Sequence, residues 1–190
     1  MVNKDPEDVA LFDMDGTLCD YEKGLIKSLE QLRSPMEPPV TKPPSKSSPN
    51  YLRVRADLVR TNEDWYVNLD RFELGFDIWN IAEELDYTRM ILTQGPKRNP
   101  FAWSGKKMWI DKHLGTDVGI TITRDKGLVY GRVLVDDYPG YINRWLEWRR
   151  NGLVVMPASR INGDFKHPQV IRYDGSNLNE VRERMIAVKR

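Results

Sequence analysis

The sequence predicts a three-layer α/β domain, in which a parallel β-sheet carries helices on both faces and a small helical cap is inserted after the first strand. Two observations support this prediction. Short apolar runs, typical of buried strands, alternate with longer segments of helical periodicity, and this alternation is characteristic of parallel sheets with right-handed crossovers. Polar residues also follow four of the apolar runs directly, as expected where strands end at a common edge of a sheet.

The predicted strands are short apolar runs, and the predicted helices are longer segments. Strands are expected at residues 9–12, 89–92, 119–123, 132–135, 153–156 and 169–173. Helices are expected at residues 21–33, 51–62, 70–85, 102–114, 139–150 and 177–188. Within 70–85, apolar residues recur at helical spacing, which indicates an amphipathic helix packed on the sheet. Pro139 and Gly152 mark the start and the end of the helix after the fourth strand.

Residues 21–66 interrupt this alternation between the first two strands. They are assigned to the inserted helical cap, so that residues 1–20 and 67–190 form the core domain. Within the cap, the segment 34–50 contains six prolines separated mainly by Ser and Lys, which excludes a helix or a central strand. The segment is predicted to be an extended, mobile loop, and a docking site for a proline-binding partner is the alternative.

The acidic segment Asp13-Met14-Asp15-Gly16-Thr17 directly follows the first predicted strand. Side chains two residues apart in an extended segment point the same way, so Asp13 and Asp15 can converge on one phosphate or metal ion. Because neighbouring carboxylates repel each other, their convergence favours a bound cation. Mg²⁺ is expected, since it prefers oxygen ligands that it shares with a phosphate. An acidic turn that only closes the strand is the alternative.

Three further polar clusters follow the second, third and fourth strands. They are Thr93-Gln94-Gly95, Arg124-Asp125-Lys126 and the pair Asp136-Asp137. In an open parallel sheet the carboxyl ends of the strands share one edge, so all four clusters can face a single crevice. The sequence therefore predicts a site that combines carboxylates, a hydroxyl, an amide and cationic groups.

These four clusters, in this order, resemble the motifs of the haloacid dehalogenase-like phosphohydrolase superfamily, which has a Rossmann-like parallel sheet. Within it the chain is most similar to the 5'(3')-deoxyribonucleotidases. Besides the acidic loop, this similarity rests on the pair Asp20-Tyr21, the pattern Lys106-x-x-Trp109-x-x-Lys112-x-x-Gly115, and Thr123-Arg124-Asp125-Lys126 shortly before Asp136-Asp137. Gln94 departs from the pattern, because those enzymes usually carry Ser there, and the segment after Asp137 does not match.

The resemblance implies a magnesium-dependent phosphomonoester hydrolase. Asp13 is expected to attack phosphorus and form an aspartyl phosphate, while Asp15 protonates the leaving oxygen and then activates water. The predicted Mg²⁺ ligands are Asp13, the Asp15 backbone carbonyl, and Asp137 with help from Asp136. The predicted phosphate-binding residues are Thr93, Gln94, Lys126, Lys97, Lys106 and Arg124. For Lys126 the alternative is a structural salt bridge, and for the other three cations it is a solvated surface charge.

The resemblance also implies a nucleotide substrate, preferably a deoxynucleoside monophosphate that loses its 5'- or 3'-phosphate. Tyr21 and Trp65 are predicted to stack on the base, since stacking accepts different bases. For Trp65 the alternative is packing inside the cap. Three other functions stay open: a 3'-phosphatase on nucleic-acid ends, a small-metabolite phosphatase, and a non-catalytic nucleotide-binding protein of the same fold.

Composition predicts a cytoplasmic globular protein. The chain is 40% hydrophobic and 30% charged, and its net charge of +1 gives no broad basic field of the kind that binds nucleic acid stably. No stretch is apolar enough for a signal peptide or a membrane span. The single cysteine, Cys19, is expected to be a small buried side chain, and His113 and His167 are too isolated for a zinc site. A small-molecule phosphomonoester is the expected partner, and the oligomeric state is left open.

Overall fold

The structure of the protein, a computed structural model, describes residues 8–96 and 99–189. The strands are β1 (Val9–Phe12), β2 (Thr88–Gln94), β3 (Gly119–Thr123), β4 (Val133–Val135), β5 (Leu153–Pro157) and β6 (Val170–Tyr173). The helices are α1 (Tyr21–Gln31), α2 (Asn50–Arg60), α3 (Glu63–Val67), α4 (Glu73–Glu84), α5 (Pro100–Leu114), α6 (Pro139–Leu146) and α7 (Leu178–Val188), and a 3₁₀ turn covers Lys126–Leu128. Among the described residues, no helix has the length and apolar character needed to cross a membrane.

The six strands form one parallel sheet in the order β3-β2-β1-β4-β5-β6. Strand β1 is central: its residues 10–12 pair with residues 89–91 of β2 on one side and with residues 133–135 of β4 on the other. The predicted α/β class with a parallel sheet is thereby confirmed. Because β1 lies between β2 and β4, the segments that leave the carboxyl ends of these three strands are neighbours.

Helices cover both faces of this sheet. Successive side chains of β1 point to opposite faces. On one face, Leu11 belongs to a buried cluster with Ile142 and Trp145 of α6. On the other face, the ring centroid of Phe12 lies 4.8 Å from that of Trp79 on α4, in an edge-to-face arrangement. Burial of such large apolar side chains on both faces is the main source of the stability of the sheet.

Two helical segments differ from the sequence prediction by more than three residues. The helix predicted to reach residue 150 ends at Leu146, because residues 147–152 form turns, in which the Gly152 amide donates to the Arg149 carbonyl at 2.9 Å. The five-residue helix α3 has no counterpart in the prediction, since it is too short to carry a visible periodicity. Its first turn is capped by Asn62, whose side-chain oxygen accepts a hydrogen bond from the Asp64 amide at 3.0 Å.

The chain divides into two compact units, each assembled from separate segments. Among the described residues, the first unit comprises 8–19, 71–94 and 117–189 and holds the whole sheet, and the second comprises 20–70, 95–96 and 99–116. The predicted cap, residues 21–66, falls within this second unit. Helix α5 joins it from further along the chain: the indole of Trp109 donates to the Leu69 carbonyl at 2.8 Å, and a Cβ at Gly105 would lie 2.7 Å from the Cβ of Tyr66.

The proline-rich segment 34–50 contains no helix or strand before α2 begins at Asn50. It is nevertheless bound to the helices of the second unit. Glu37 forms two hydrogen bonds with the guanidinium of Arg55 on α2, at 2.5 and 3.0 Å, and the Val40 amide donates to Glu30 of α1. Val40 also packs on the apolar cluster between α1 and α2. The middle of the segment therefore has a defined path.

Candidate active site

The acidic loop that follows β1 is held in one tight conformation. The Asp13 amide continues the pairing of β1 with β4 by donating to the Val135 carbonyl at 2.8 Å. The Met14 carbonyl then accepts hydrogen bonds from the amides of Leu18 and Cys19, both at 2.9 Å. Gly16 has a φ of +76°, which favours glycine, and a Cβ there would lie 2.7 Å from a carboxylate oxygen of Asp137. Glycine therefore allows the loop to approach Asp137 closely.

Lys126 connects the acidic loop to the carboxylates that follow β4. Its ammonium lies 2.9 Å from Asp13 Oδ1 and 2.6 Å from Asp136 Oδ2, and all three side chains are buried. It also lies 4.6 Å from the centroid of the Tyr141 ring. Burial would lower the pKa of Lys126, but the charges of Asp13 and Asp136 outweigh it and raise that pKa above its ordinary value. Lys126 is therefore a fixed positive charge inside a group of acids.

Asp136 is fixed from two sides. Besides its ion pair with Lys126, its second oxygen accepts a hydrogen bond from the Tyr138 amide at 2.9 Å. Complete burial raises the pKa of its carboxyl, and the ammonium of Lys126 opposes that rise. Asp136 and Lys126 therefore fix each other's position.

Asp13, Asp136 and Asp137 form a cluster of three buried carboxylates that could hold a metal ion. One oxygen atom from each lies within 4.8 Å of the others. Burial, followed by the charges of Asp136 and Asp13, raises the pKa of Asp137 to about 8. Three carboxylates against one ammonium leave a negative charge when all are ionised, and oxygen donors of this kind fit a hard cation such as Mg²⁺. The donor set of this structure therefore fits the cation that the sequence predicts.

Asn162, which no sequence motif singles out, fixes the backbone of Asp137. Its side-chain amide is buried and donates to the carbonyls of Asp137 at 3.0 Å and Pro157 at 2.9 Å. Its oxygen accepts from the Ser159 amide at 3.0 Å and from Arg172 at 3.2 Å. An asparagine in a loop is an ordinary turn residue, so no signal in the sequence distinguishes Asn162.

The remaining predicted residues of the first unit lie on the same sheet or its loops. Thr93 and Gln94 are the last two residues of β2, and Thr93 is fully buried. Asp15 is partly buried, and one of its carboxylate oxygens lies 3.7 Å from the buried thiol of Cys19. Arg124 is exposed at the end of β3. The cluster that follows β3 is therefore divided between a residue at the surface and the buried Lys126.

Tyr21, Trp65 and Lys106 belong to the second unit. The Tyr21 hydroxyl accepts a hydrogen bond from Arg60 at 2.6 Å, and its ring lies edge to face with Trp65 at 5.2 Å between centroids. The indole of Trp65 donates to the Ser28 hydroxyl at 3.1 Å. Lys106 is buried on α5. Lys97 lies outside the described residues, and the roles predicted for these four residues stay predictions.

Comparison with known proteins gives similarities in sequence and in fold. No family model matches the chain. The chain is 30% identical over 139 residues to the cytosolic-type 5'(3')-deoxyribonucleotidase of Homo sapiens, an alignment that covers 67% of this chain and 69% of that protein. It is 27% identical over 141 residues to the mitochondrial 5'(3')-deoxyribonucleotidase of Mus musculus, covering 68% of this chain and 64% of that protein.

A solved structure has a similar fold. It is a HAD hydrolase of family IA, variant 3, from Entamoeba histolytica, with a TM-score of 0.56 and 13% sequence identity, over 95% of this chain and 98% of that one. This similarity concerns the arrangement of the sheet and its helices. The sequence similarities above concern about two thirds of the chain.

Proposed function

The chain belongs to the 5'(3')-deoxyribonucleotidase family of haloacid dehalogenase-like phosphatases, and from that premise we propose that it hydrolyses the phosphate monoester of deoxynucleoside or nucleoside 5'- or 3'-monophosphates with Mg²⁺. The observation that supports this most directly is the position of Asp13. Its carboxylate is buried at the end of the central strand, paired with Lys126 and grouped with Asp136 and Asp137. The cytosolic type of the human relative supports a cytoplasmic location.

In the proposed reaction Asp13 is the nucleophile. Its carboxylate oxygen forms a bond to phosphorus as the bond from phosphorus to the ester oxygen breaks, which gives an aspartyl phosphate and the free alcohol. Asp15 donates the proton that the leaving oxygen takes up. It then accepts a proton from the water that attacks the aspartyl phosphate, so phosphate is released and Asp13 is restored. The partial burial of Asp15 leaves it accessible for these transfers.

Lys126 and Thr93 are proposed to hold the non-bridging oxygens of the phosphate. Lys126 also compensates the charge of Asp13 and keeps its carboxylate in one orientation through the 2.9 Å ion pair. Asp13, the Asp15 carbonyl and Asp137 would hold Mg²⁺, with Asp136 fixing their surroundings. When bound, the ion supplies positive charge that offsets the charge building up on the phosphate oxygens.

Replacing Asp13 tests the proposed nucleophile. Asp13→Asn should abolish turnover of p-nitrophenyl phosphate and of deoxynucleoside monophosphates while the circular dichroism spectrum stays unchanged. Asp164→Asn is the matched control, because Asp164 is an exposed aspartate of the same unit, outside the acidic cluster. Near-normal turnover in folded Asp13→Asn protein would contradict the proposal, and a folded wild-type protein that binds nucleotides without turnover would indicate a non-catalytic protein.

The metal requirement can be tested separately. Chelation with EDTA should stop turnover and Mg²⁺ should restore it. Ca²⁺ should inhibit, because its larger and less regular coordination misplaces the attacking carboxylate. Full activity after exhaustive chelation would show that the acidic cluster does not hold a catalytic cation.

The nucleotide substrate is tested at Tyr21. If its ring stacks on the base, Tyr21→Ala should raise KM for a deoxynucleoside monophosphate by about tenfold and leave KM for p-nitrophenyl phosphate nearly unchanged. Tyr21→Phe is the control, since it keeps the ring and removes only the hydrogen bond with Arg60. Equal losses on both substrates in Tyr21→Ala would favour a small-metabolite phosphatase. Preferential release of phosphate from oligonucleotide ends would favour the nucleic-acid 3'-phosphatase.

A further inference from the structure

Two adjoining cavities lie in the first unit at the edge of the sheet opposite the acidic cluster. Their volumes are about 590 Å³ and 440 Å³, within the range of small-molecule sites. Arg132, Arg150, Asn151 and Gly152 line both. Arg132 precedes β4 and Asp136 follows it, so an extended chain separates the two ends by about 13 Å. We refer to the two cavities together as the basic cleft.

The basic cleft has an excess of positive charge that the described residues do not neutralise. Arg149, Arg150, Arg184 and Lys189 line it, and within the described ranges none of them forms an ion pair. Among the described residues that line it, the one acid, Glu147, is already paired with Arg144 at 2.6 Å. Three of the four cations donate to backbone carbonyls, which leaves their charge in place. Since the whole chain carries a formal net charge of only +1, this concentration is local and favours an anionic ligand.

Arg149 lies between two aromatic rings and has one hydrogen-bond donor that the described residues leave without an acceptor. Its guanidinium lies 5.5 Å from the centroid of the Tyr130 ring and 5.8 Å from that of Trp145, and one terminal nitrogen donates to the Trp148 carbonyl at 3.1 Å. Its Nε is buried without a hydrogen-bond acceptor among the described residues. A buried donor without an acceptor is unfavourable, and an oxygen of a bound anion would satisfy it. The aromatic contacts hold the guanidinium in position for this.

Exposed aromatic rings stand beside these cations. Trp148 is 62% exposed and Tyr130 47% exposed, and both line the larger cavity. A large exposed indole next to guanidinium groups is suited to stack on a nucleobase whose phosphates the guanidinium groups bind. Cations spread over two cavities match a chain of phosphates better than a single phosphate.

We propose that the basic cleft binds a nucleotide with two or three phosphates, with the phosphates at Arg149 and Arg150 and the base against Trp148. This site is separate from the proposed catalytic site and does not depend on its assignment. Binding there would let a nucleoside di- or triphosphate regulate a protein of this family without entering the acidic cluster.

The charge contribution is tested at Arg150, which is exposed and forms no hydrogen bond with the described residues, so its replacement leaves the fold intact. A non-hydrolysable deoxynucleoside triphosphate is titrated by calorimetry in EDTA, where the metal-free acidic cluster repels triphosphates. Arg150→Gln should weaken binding by about tenfold. Lys166→Gln is the matched control, because it removes one exposed positive charge outside the cleft, and it should change the affinity by less than about twofold. No binding to the wild type, or equal affinities in all three proteins, would overturn the proposal.

The base contribution is tested at Trp148 with two ligands. Trp148→Ala should weaken binding of the deoxynucleoside triphosphate by about tenfold and leave binding of inorganic tripolyphosphate unchanged. In the wild type the nucleotide should therefore bind more tightly than tripolyphosphate. Equal affinity of the two ligands would contradict the proposal of a nucleotide and reduce the cleft to a polyphosphate site. A loss of tripolyphosphate binding in Trp148→Ala would show that the indole supports the guanidinium groups and does not contact a base.

Discussion

The ion pairs of Lys126 lead to a prediction about stability that is independent of any catalytic role. In Lys126→Met the apolar part of the side chain is kept and the ammonium is removed, so the buried carboxylates of Asp13 and Asp136 both lose their partner at 2.9 and 2.6 Å. Breaking one buried ion pair costs about 3–5 kcal/mol, because the remaining charge stays buried without compensation. We therefore expect Lys126→Met to lower the free energy of unfolding by at least about 4 kcal/mol at neutral pH without metal.

The pH dependence follows from the same charges. Burial already raises the pKa of Asp136 above its value in the unfolded chain, and removing the ammonium that opposes this rise should raise that pKa further. A carboxyl group with a raised folded pKa destabilises the fold above its unfolded pKa of about 4 and has no such effect below it. The difference in stability between wild type and variant should therefore be greatest near neutral pH and shrink as the pH falls towards 4.

Urea unfolding followed by circular dichroism in EDTA measures these differences. The double variant Lys126→Met/Asp136→Asn should recover part of the lost stability, since it removes one of the two unpaired carboxylates, but it should stay inactive. Mg²⁺ should stabilise Lys126→Met more than it stabilises the wild type, because the acidic cluster then carries one more negative charge. A loss of less than about 1 kcal/mol, or a difference that does not shrink in acid, would refute the reasoning.

Three further predictions concern other contacts of the first unit. Asn162→Ala removes the hydrogen bonds to the carbonyls of Asp137 and Pro157, so it should lower the free energy of unfolding by about 2 kcal/mol. It should also raise the Mg²⁺ concentration for half-maximal activity, because the backbone of Asp137 is no longer fixed. An unchanged Mg²⁺ requirement would contradict this. In Gly75→Ala the new Cβ would overlap the Thr17 carbonyl, so the free energy of unfolding should fall by about 1–3 kcal/mol and the melting temperature should fall with it. Gly163→Ala is the control, because no atom lies within 4 Å of a Cβ there, and its melting temperature should hardly change. Hydrogen bonds from Arg144 lower the pKa of Asp125, so that carboxylate stabilises the fold above its unfolded pKa and ceases to do so as the pH falls through its folded pKa. Thermal melts of Asp125→Asn should therefore differ from wild type at about pH 6, and the difference should shrink as the pH falls below the unfolded pKa of about 4.

The strands and the acidic cluster can be predicted because both depend on local patterns. Apolar runs mark buried strands, and parallel pairing brings their carboxyl ends to one edge, so the proximity of Asp13, Lys126 and Asp136 follows from the sequence alone. The contacts that the sequence does not reveal are those between distant segments. Asn162 supports Asp137 only because the loop after β5 returns to the end of β4, and no spacing in the sequence encodes that return.

The basic cleft also cannot be predicted from the sequence. Its cations come from the turn before β4, from the turns after α6, and from α7 and the residue after it, which the sheet topology brings together. A net charge of +1 for the chain conceals such a local concentration. The early end of α6 also shapes the cleft. In the predicted longer helix, Trp148, Arg149 and Arg150 would point in different directions around the helix axis, whereas in the observed turns all three line one cavity.

The discontinuous second unit has a practical consequence for protein engineering. Its helices α1 to α3 are completed by α5, whose Trp109 donates to Leu69 and whose Gly105 fits against Tyr66. Excising residues 21–66 alone would remove Tyr66 and leave the side of α5 that packs against it uncovered. A minimal sheet-only protein, or a chimera that exchanges this unit with that of a relative, therefore has to replace 20–70 and 95–116 together, through two pairs of splice points.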